Sequence, residues 1–245
     1  MKPSNLVIRQ SEGIRWLSFP PLDAFPFVLH GLTIKGRNPA SNGDRKATAK
    51  LLKKVGRPKA RVVSLSQMHR DQCVAVTAGD KLQRSYSGDA VLTDRNDVLV
   101  SVRMADCLPV FMVNPKRRII GMIHAGWRGT LLGIARRTIR KAEDRFGCRP
   151  GDFTLLFGPC IRSCCYRVSD RVAVLFDEEC VSRRRDGAPM LNLVQANLKQ
   201  FTDCGVKEDK IFVVGGCTFC DKDLFCSYRR DKENAGRMIG YLGLK

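Results

Sequence analysis

The chain has 245 residues, 44% of them hydrophobic, with 43 Lys and Arg against 24 Asp and Glu for a net charge of +19. This is enough apolar material for one large domain spanning 1–245. No run approaches the roughly 18 apolar residues that cross a bilayer, and the N-terminus lacks a signal-like apolar core, so a cytoplasmic protein without a membrane partner is expected. The eleven cysteines are an odd number in a chain of this length without an export signal, which favours reduced thiols over a disulfide framework. The positive charge predicts association with polyanions at low salt. Basic residues are scattered in short groups and aromatics are only 7%, which argues against specific nucleic-acid binding and for a basic surface around a pocket for an anionic ligand.

In chain order, strand-like fragments at 5–9 and 13–17 are followed by the FPFVLHG segment, and then by a helix within ASNGDRKATAKLLKKVG. For that helix Asp44 is the N-cap candidate, Ala47, Leu51, Leu52 and Val55 recur near helical spacing, and Gly56 is the stop. Runs rich in Val, Ile and Leu at 62–67, 98–104 and 119–123 read as strands. A helix is expected over 130–146, with Leu131, Ile134, Ala135, Thr138, Ala142 and Phe146 on one face and Gly147 ending it. Another is expected over 193–204, and further short strands at 73–77, 90–93, 153–158 and 211–214. The alternation points to an α/β protein with helices packed outside a sheet.

Three of the strand-like runs end in a metal-capable side chain: SLSQMH at His69, VLVSVRMADC at Cys107 and RIIGMIH at His124. Strand ends commonly carry ligands and catalytic groups, and two imidazoles with one thiolate suit zinc, with a fourth position open to water. Cys107, beside Asp106, keeps three readings: a core thiol, a nucleophile with His124 as its base, or a metal ligand. His124 opens HAGWRGT, where glycines before a helix beginning at Thr130 offer free amides for phosphate and Arg128 could clamp an oxyanion. Near the C-terminus Tyr228, Arg229, Arg230 and Asp231 are consecutive. If that stretch is extended, the two arginines face opposite ways and one can enter the pocket, the plainer reading being a polar edge strand. Cys217 and Cys220 form a CxxC and Cys160, Cys164 and Cys165 cluster after Gly158-Pro159, yet without a second CxxC a four-cysteine metal site is disfavoured. His30 is read as a core histidine.

The segments SQMH, GDAVLTD, VRMADCLPV, HAGWRGT, GPCIRSCCYRV and CSYRRDKENAGRM, in this order, resemble the YfiH family, also called the laccase-domain or multicopper polyphenol oxidase family. The resemblance runs from about residue 30 to the C-terminus. It implies a single α/β domain, a layered mixed β-sheet core flanked by helices and related to a toxin deamidase fold, with His69, Cys107 and His124 as zinc ligands. It also implies a purine nucleoside phosphorylase acting on adenosine, inosine, guanosine or methylthioadenosine, with adenosine deaminase activity. An alternative is an amidohydrolase that edits cell-wall precursors carrying serine in place of alanine. Copper belongs to an older description of the family and suits a chain with three histidines poorly. On this reading Cys107, His124, Asp106 and Arg229 are catalytic candidates, while Gln67, Arg128, Tyr228 and Lys35 are candidates for holding nucleoside or phosphate. The oligomeric state stays open between monomer and homodimer. Relatives carry a longer loop after the equivalent of His30. Here the chain reads HGLTIKGRNPASNGDRKATA, with Lys35 where an arginine is expected.

Overall fold

Strands buried on both faces need apolar side chains at every position rather than at alternate ones, and the central strands of this protein show why. In β10 (Leu108–Asn114), Phe111 and Val113 point into one hydrophobic cluster while Leu108, Val110 and Met112 point into another. In β11 (Ile119–Ala125), Ile120 and Met122 join the first cluster and Ile119 and Ile123 the second. The computed structural model describes residues 2–4, 6–11, 13–36, 50–51, 53–54, 57–83 and 85–245, with the first three as backbone. The helix expected around Asp44 and Ala47, and most of the distinctive loop before it, lie outside these residues.

The first of two seven-stranded mixed sheets runs, in spatial order, β1 (Lys2–Ser4), β15 (Ile211–Val214), β12 (Thr154–Phe157), β10, β11, β8 (Ala90–Thr93) and β6 (Cys73–Val76). Its centre is antiparallel, and the β1–β15, β12–β15 and β6–β8 pairs are parallel. The second runs β2 (Val7–Ser11), β3 (Ile14–Ser18), β4 (Val28–Thr33), β16 (Met238–Leu244), β9 (Val98–Met104), β5 (Arg61–Ser66) and β7 (Tyr86–Ser87). The sheets stack face to face through Phe111, Ile120, Met122 and Leu156 of the first and Leu17, Leu32, Val100, Met104 and Leu242 of the second. The Ile134–Phe146 and Leu193–Asp203 helices cover the outer face of the first sheet with Ile134, Ile139, Ala142, Val194, Leu198 and Phe201. A hairpin of β13 (Val181–Arg183) and β14 (Pro189–Leu191) stands apart. The layered mixed α/β architecture expected from sequence is therefore present. Among the described residues no helix is long and apolar enough to cross a membrane.

Two expectations for this frame are corrected. The helix expected over 130–146 is two helices, Trp127–Leu131 and Ile134–Phe146, because Gly133 adopts a left-handed φ of 85° that a continuous helix cannot contain. Leu131 consequently leaves the apolar face and is 39% exposed. The second helix does end at Gly147, where the Gly147 and Cys148 amides donate to the Glu143 and Ala142 carbonyls. The Tyr228–Asp231 segment is one helical turn capped by the Ser227 hydroxyl, which accepts from the Arg230 amide, so it is not an extended edge.

His30 lies in the core as expected. The Phe19 amide donates to its Nε2 at 3.0 Å, its ring stacks on Phe19, and burial lowers its pKa to about 4.

Phe111 is fully buried between the sheets, edge-on to Phe19 at 5.3 Å. Phe111→Ala is expected to cost about 3–5 kcal/mol in urea unfolding, through lost transfer energy and a cavity. Leu132→Ala, at a 53% exposed position, should change stability by less than about 0.5 kcal/mol.

Candidate metal centre

The chain passes from one sheet to the other in the short turn between β9 and β10, and Cys107 sits in that turn. Its neighbour Asp106 has a left-handed φ of 90°, unusual for a residue with a side chain. Hydrogen bonds hold it there. Thr218 Oγ1 donates to Asp106 Oδ1 at 2.7 Å, the Arg229 amide donates to Oδ2 at 2.6 Å, and the Ile161 amide donates to the Asp106 carbonyl at 2.9 Å. The Asp106 carboxylate thus fastens the crossover to the 218 and 229 segments.

His69 comes from the turn after β5, Cys107 from the crossover and His124 from the penultimate position of β11. Their ligand atoms all lie within 4.8 Å of one another, and the two imidazoles meet edge to face with centroids 4.8 Å apart. His124 is buried, Cys107 half-buried and His69 exposed, so the group opens to solvent on the His69 side. Gly126 makes this approach possible: a Cβ there would lie 3.0 Å from Cys107 Sγ and 3.3 Å from His69 Cδ2.

A residue the sequence reading passed over, Asp89, organises the group. It is fully buried, and its carboxylate accepts from the backbone amides of Met68, His69 and Arg70 at 3.0, 3.0 and 2.9 Å. Oδ1 is also 2.9 Å from His124 Nδ1. Burial would raise the Asp89 pKa, but these donors outweigh it and lower it. The ionised carboxylate only accepts, so Nδ1 carries the proton and Nε2 of His124 is left for a ligand. The signal was present as SGDAVLTD between two strands, where Gly-Asp reads as an ordinary turn.

Cys107 and His124 form an ion pair in the metal-free protein. Burial pushes the thiol up, but the charge and hydrogen bond of His124, with a hydrogen bond from His69, bring its pKa down to about 6. Burial pushes His124 down, but the Cys107 thiolate and the Asp89 carboxylate bring it up to about 9. The Cys107 thiolate, a ring nitrogen of His69 and the Nε2 that His124 frees when it gives up its extra proton make a donor set that suits zinc.

A cavity of about 770 Å³ lined by Trp127, Tyr166, Arg167, Asp170, Pro189 and Arg229, among others, includes none of the three ligands but adjoins their segments through Trp127, which follows His124 by three residues, and Arg229, whose amide bonds Asp106 beside Cys107. The Arg229 guanidinium lies over the Tyr166 ring at 5.3 Å and donates to the Arg167 carbonyl at 2.7 Å. Burial raises the Tyr166 phenol's pKa, and the negative charge of Cys107 raises it further. Arg230 instead folds back onto the carbonyls of Thr218, Phe219 and Phe225. Arg229 therefore lines the cavity from a helical turn, not from the extended stretch on which the expectation of one inward and one outward arginine depended.

The remaining candidates are dispersed. Arg128 is exposed and stacks on Trp127 at 4.6 Å. The Gln67 side chain is taken up by β9: Nε2 donates to the Arg103 carbonyl and Oε1 accepts from the Arg103 amide, at 2.7 and 2.8 Å. The Tyr228 hydroxyl donates to Glu233 at 2.8 Å, outside the cavity lining. Lys35 lines a separate cavity of about 460 Å³ with Cys226 and Arg237, and its ammonium donates to the Lys222 carbonyl. The helix expected to start at Thr130 starts one turn earlier, so Thr130 itself offers no free amide to a phosphate. The helix begins at Trp127 and the Thr130 amide already donates to Gly126.

Known proteins resemble the chain in sequence and fold. The chain is 35% identical over 200 residues to the purine nucleoside phosphorylase YlmD of Geobacillus stearothermophilus, covering 76% of this chain and 73% of that protein. It is 32% identical over 196 residues to the Bacillus subtilis protein of the same name, covering 75% and 70%. The crystal structure of the Geobacillus stearothermophilus YlmD superposes with a TM-score of 0.84 at 30% identity, over 98% of this chain and 99% of that one. That of Bacillus licheniformis YfiH, titled a hypothetical protein, gives 0.85 at 27% identity over 97% and 99%. The family pattern described as multi-copper polyphenol oxidoreductase laccase matches residues 41–245, and the chain belongs to that family.

Proposed function

We propose that the protein is a purine nucleoside phosphorylase with one catalytic zinc site formed by His69, Cys107 and His124. The observation that carries this reading is the buried Asp89 carboxylate, which fixes the backbone of one histidine and the ring of the other beside a cavity walled by aromatic rings and Arg229. The names of the relatives support the substrate class. A multicopper cluster does not fit: the chain has three histidines, and His30 is engaged by the Phe19 amide in the core.

A zinc ion held by the three ligands supplies Lewis acidity toward a substrate oxygen or a water. The protein's own groups do the rest. Trp127 and Tyr166 offer ring faces to a purine, and Arg229, held over Tyr166 and against the Arg167 carbonyl, is placed to bind phosphate. In phosphorolysis a phosphate oxygen bonds to C1′ of the ribose, the C1′–N9 bond breaks, and its electron pair leaves with the purine, which takes up a proton. Adenosine deamination in the same cavity replaces the C6 amino group with a water oxygen and releases ammonia. Cytoplasmic residence is part of this reading, in keeping with eleven unpaired thiols. Chromatography of purine nucleosides incubated with and without phosphate should show base release that depends on phosphate and slower conversion of adenosine to inosine. Activity on a muramyl-serine amide with none on nucleosides would replace this reading with the cell-wall one.

Asp89→Asn keeps the shape but removes the charge that fixes the His124 tautomer. It should weaken zinc affinity about 10–100-fold in a chelator competition. Unchanged affinity would remove Asp89 from the account.

Arg229→Ala should raise the KM for phosphate by about tenfold or more, the loss of one charge-assisted contact, with a smaller effect on the KM for nucleoside. Steady-state kinetics with each substrate varied in turn measures both.

The ion pair sets a pH window. Cys107 falls from 9.0 to about 6, so its contribution to folded stability is lost as pH drops through about 6. His124 rises from 6.5 to about 9, so its contribution is lost as pH climbs through about 9. In metal-free protein the Tm advantage of wild type over Cys107→Ala should therefore be greatest from about pH 6 to 9 and shrink on both sides. Within that window the thiolate is already formed and His124 gives up its extra proton, so zinc uptake should release about one proton per ion, readable by calorimetry in buffers of different ionisation enthalpy.

A further inference from the structure

The structure gathers four more cysteines that the phosphorylase reading does not use. Cys164 and Cys165 lie in the loop after β12, and Cys217 and Cys220 lie in the turn after β15. All four sulfurs are within 4.8 Å of one another, and Cys220 Sγ is 3.9 Å from Cys164 Sγ and 3.3 Å from Cys165 Sγ. Cys160, which the sequence groups with them, is buried and instead forms a backbone bridge to Cys217. The spacing argument against a four-cysteine site looked for a second CxxC, whereas the second pair here is two adjacent residues.

We propose that Cys164, Cys165, Cys217 and Cys220 bind a second, structural zinc ion that ties the 160–167 loop to the 217–220 turn. The separations suit one tetrahedral ion: a Zn–S bond of about 2.3 Å makes the edge of an S4 tetrahedron about 3.8 Å. A disulfide needs sulfurs at about 2.05 Å and would use only two of the four. An iron-sulfur cluster, with several ions and sulfides between the thiolates, needs the sulfurs further apart than they are. One of the four sulfurs also receives backbone amides. The Arg162 amide donates to Cys217 Sγ at 3.5 Å, and the Phe219 and Cys220 amides also bond to that sulfur. Such amide-to-thiolate bonds stabilise a ligating sulfur.

The location gives the ion its role. Tyr166 of the cavity wall directly follows Cys165. Thr218, between Cys217 and Cys220, anchors Asp106, and Arg230 donates to the Thr218 and Phe219 carbonyls. A clamp on the four sulfurs therefore braces the crossover carrying Cys107 and the wall carrying Tyr166, without lying in the cavity. The proposal does not depend on which substrate the enzyme takes.

The test is a zinc count by elemental analysis on full-length protein prepared under reductant and loaded with zinc alone. Two ions per chain are expected in wild type, and one in Cys107→Ala and in Cys217→Ala/Cys220→Ala. Should the double variant fail to fold, Cys107→Ala still decides. Titration with an organomercurial should release the second zinc as about four thiols react, and a cobalt-substituted Cys107→Ala protein should show the intense thiolate charge-transfer absorption of a tetrathiolate site. No zinc in Cys107→Ala, as much zinc in the double variant as in wild type, acid-labile sulfide, or recovery of these cysteines as disulfides would each overturn the proposal.

Discussion

Asp89 is the residue on which the centre depends. Its carboxylate accepts from three consecutive backbone amides and from the His124 ring, its own amide donates to the Gln72 carbonyl, and its carbonyl accepts from the His124 amide at 2.7 Å. A buried carboxylate is tolerated only when its acceptor capacity is filled. Here filling it forces the 68–70 turn, including the left-handed φ of 57° at His69, against the end of β11. The same hydrogen bonds that make the charge tolerable bring two imidazoles to one place.

A second buried carboxylate does the equivalent work across the sheets. Asp106 joins the crossover to Thr218 and Arg229, segments more than a hundred residues later in the chain. The Trp127–Leu131 helix is tied down in turn: Asn197 Nδ2 donates to the Thr130 hydroxyl and Gln200 Nε2 to the Thr130 carbonyl. Centre and cavity are thus assembled from turns, each anchored to regular structure by a buried polar group. The stability of the stacked sheets is what keeps such strained turns in place.

Much of this was legible in the sequence, for identifiable reasons. Strands rich in Val, Ile and Leu give recognisable runs, so β5, β9 and β11, with His69, Cys107 and His124 at or just past their ends, stood out. Two central strands did not. LPVFMVN has Pro109 as its second residue, close behind ADC, and MIGYLGL carries Gly240 and Gly243, which depress strand propensity. Those glycines are explained only by packing: a Cβ on Gly240 would lie 2.8 Å from Met122 Cε, and one on Gly243 would lie 2.4 Å from Leu99 Cδ2. Asp89 was hidden inside a turn motif. Gln67, Tyr228 and Lys35 looked available because sequence shows side-chain chemistry but not whether a partner has already taken it. A single helical turn at Tyr228–Asp231 leaves no periodicity to read. The four-cysteine cluster needed the β12 and β15 strands to pair in parallel, a long-range fact that spacing does not encode.

The basic charge of the chain and the small number of histidines together favour an anionic co-substrate at a single metal over oxidative chemistry. The most direct measurement is 31P NMR of inosine, inorganic phosphate and zinc-loaded enzyme. A phosphate monoester resonance of ribose 1-phosphate, growing in step with hypoxanthine and missing with Cys107→Ala, is the result this account requires. Hypoxanthine formed while the phosphate signal stays unchanged, or no base release at all, would contradict it.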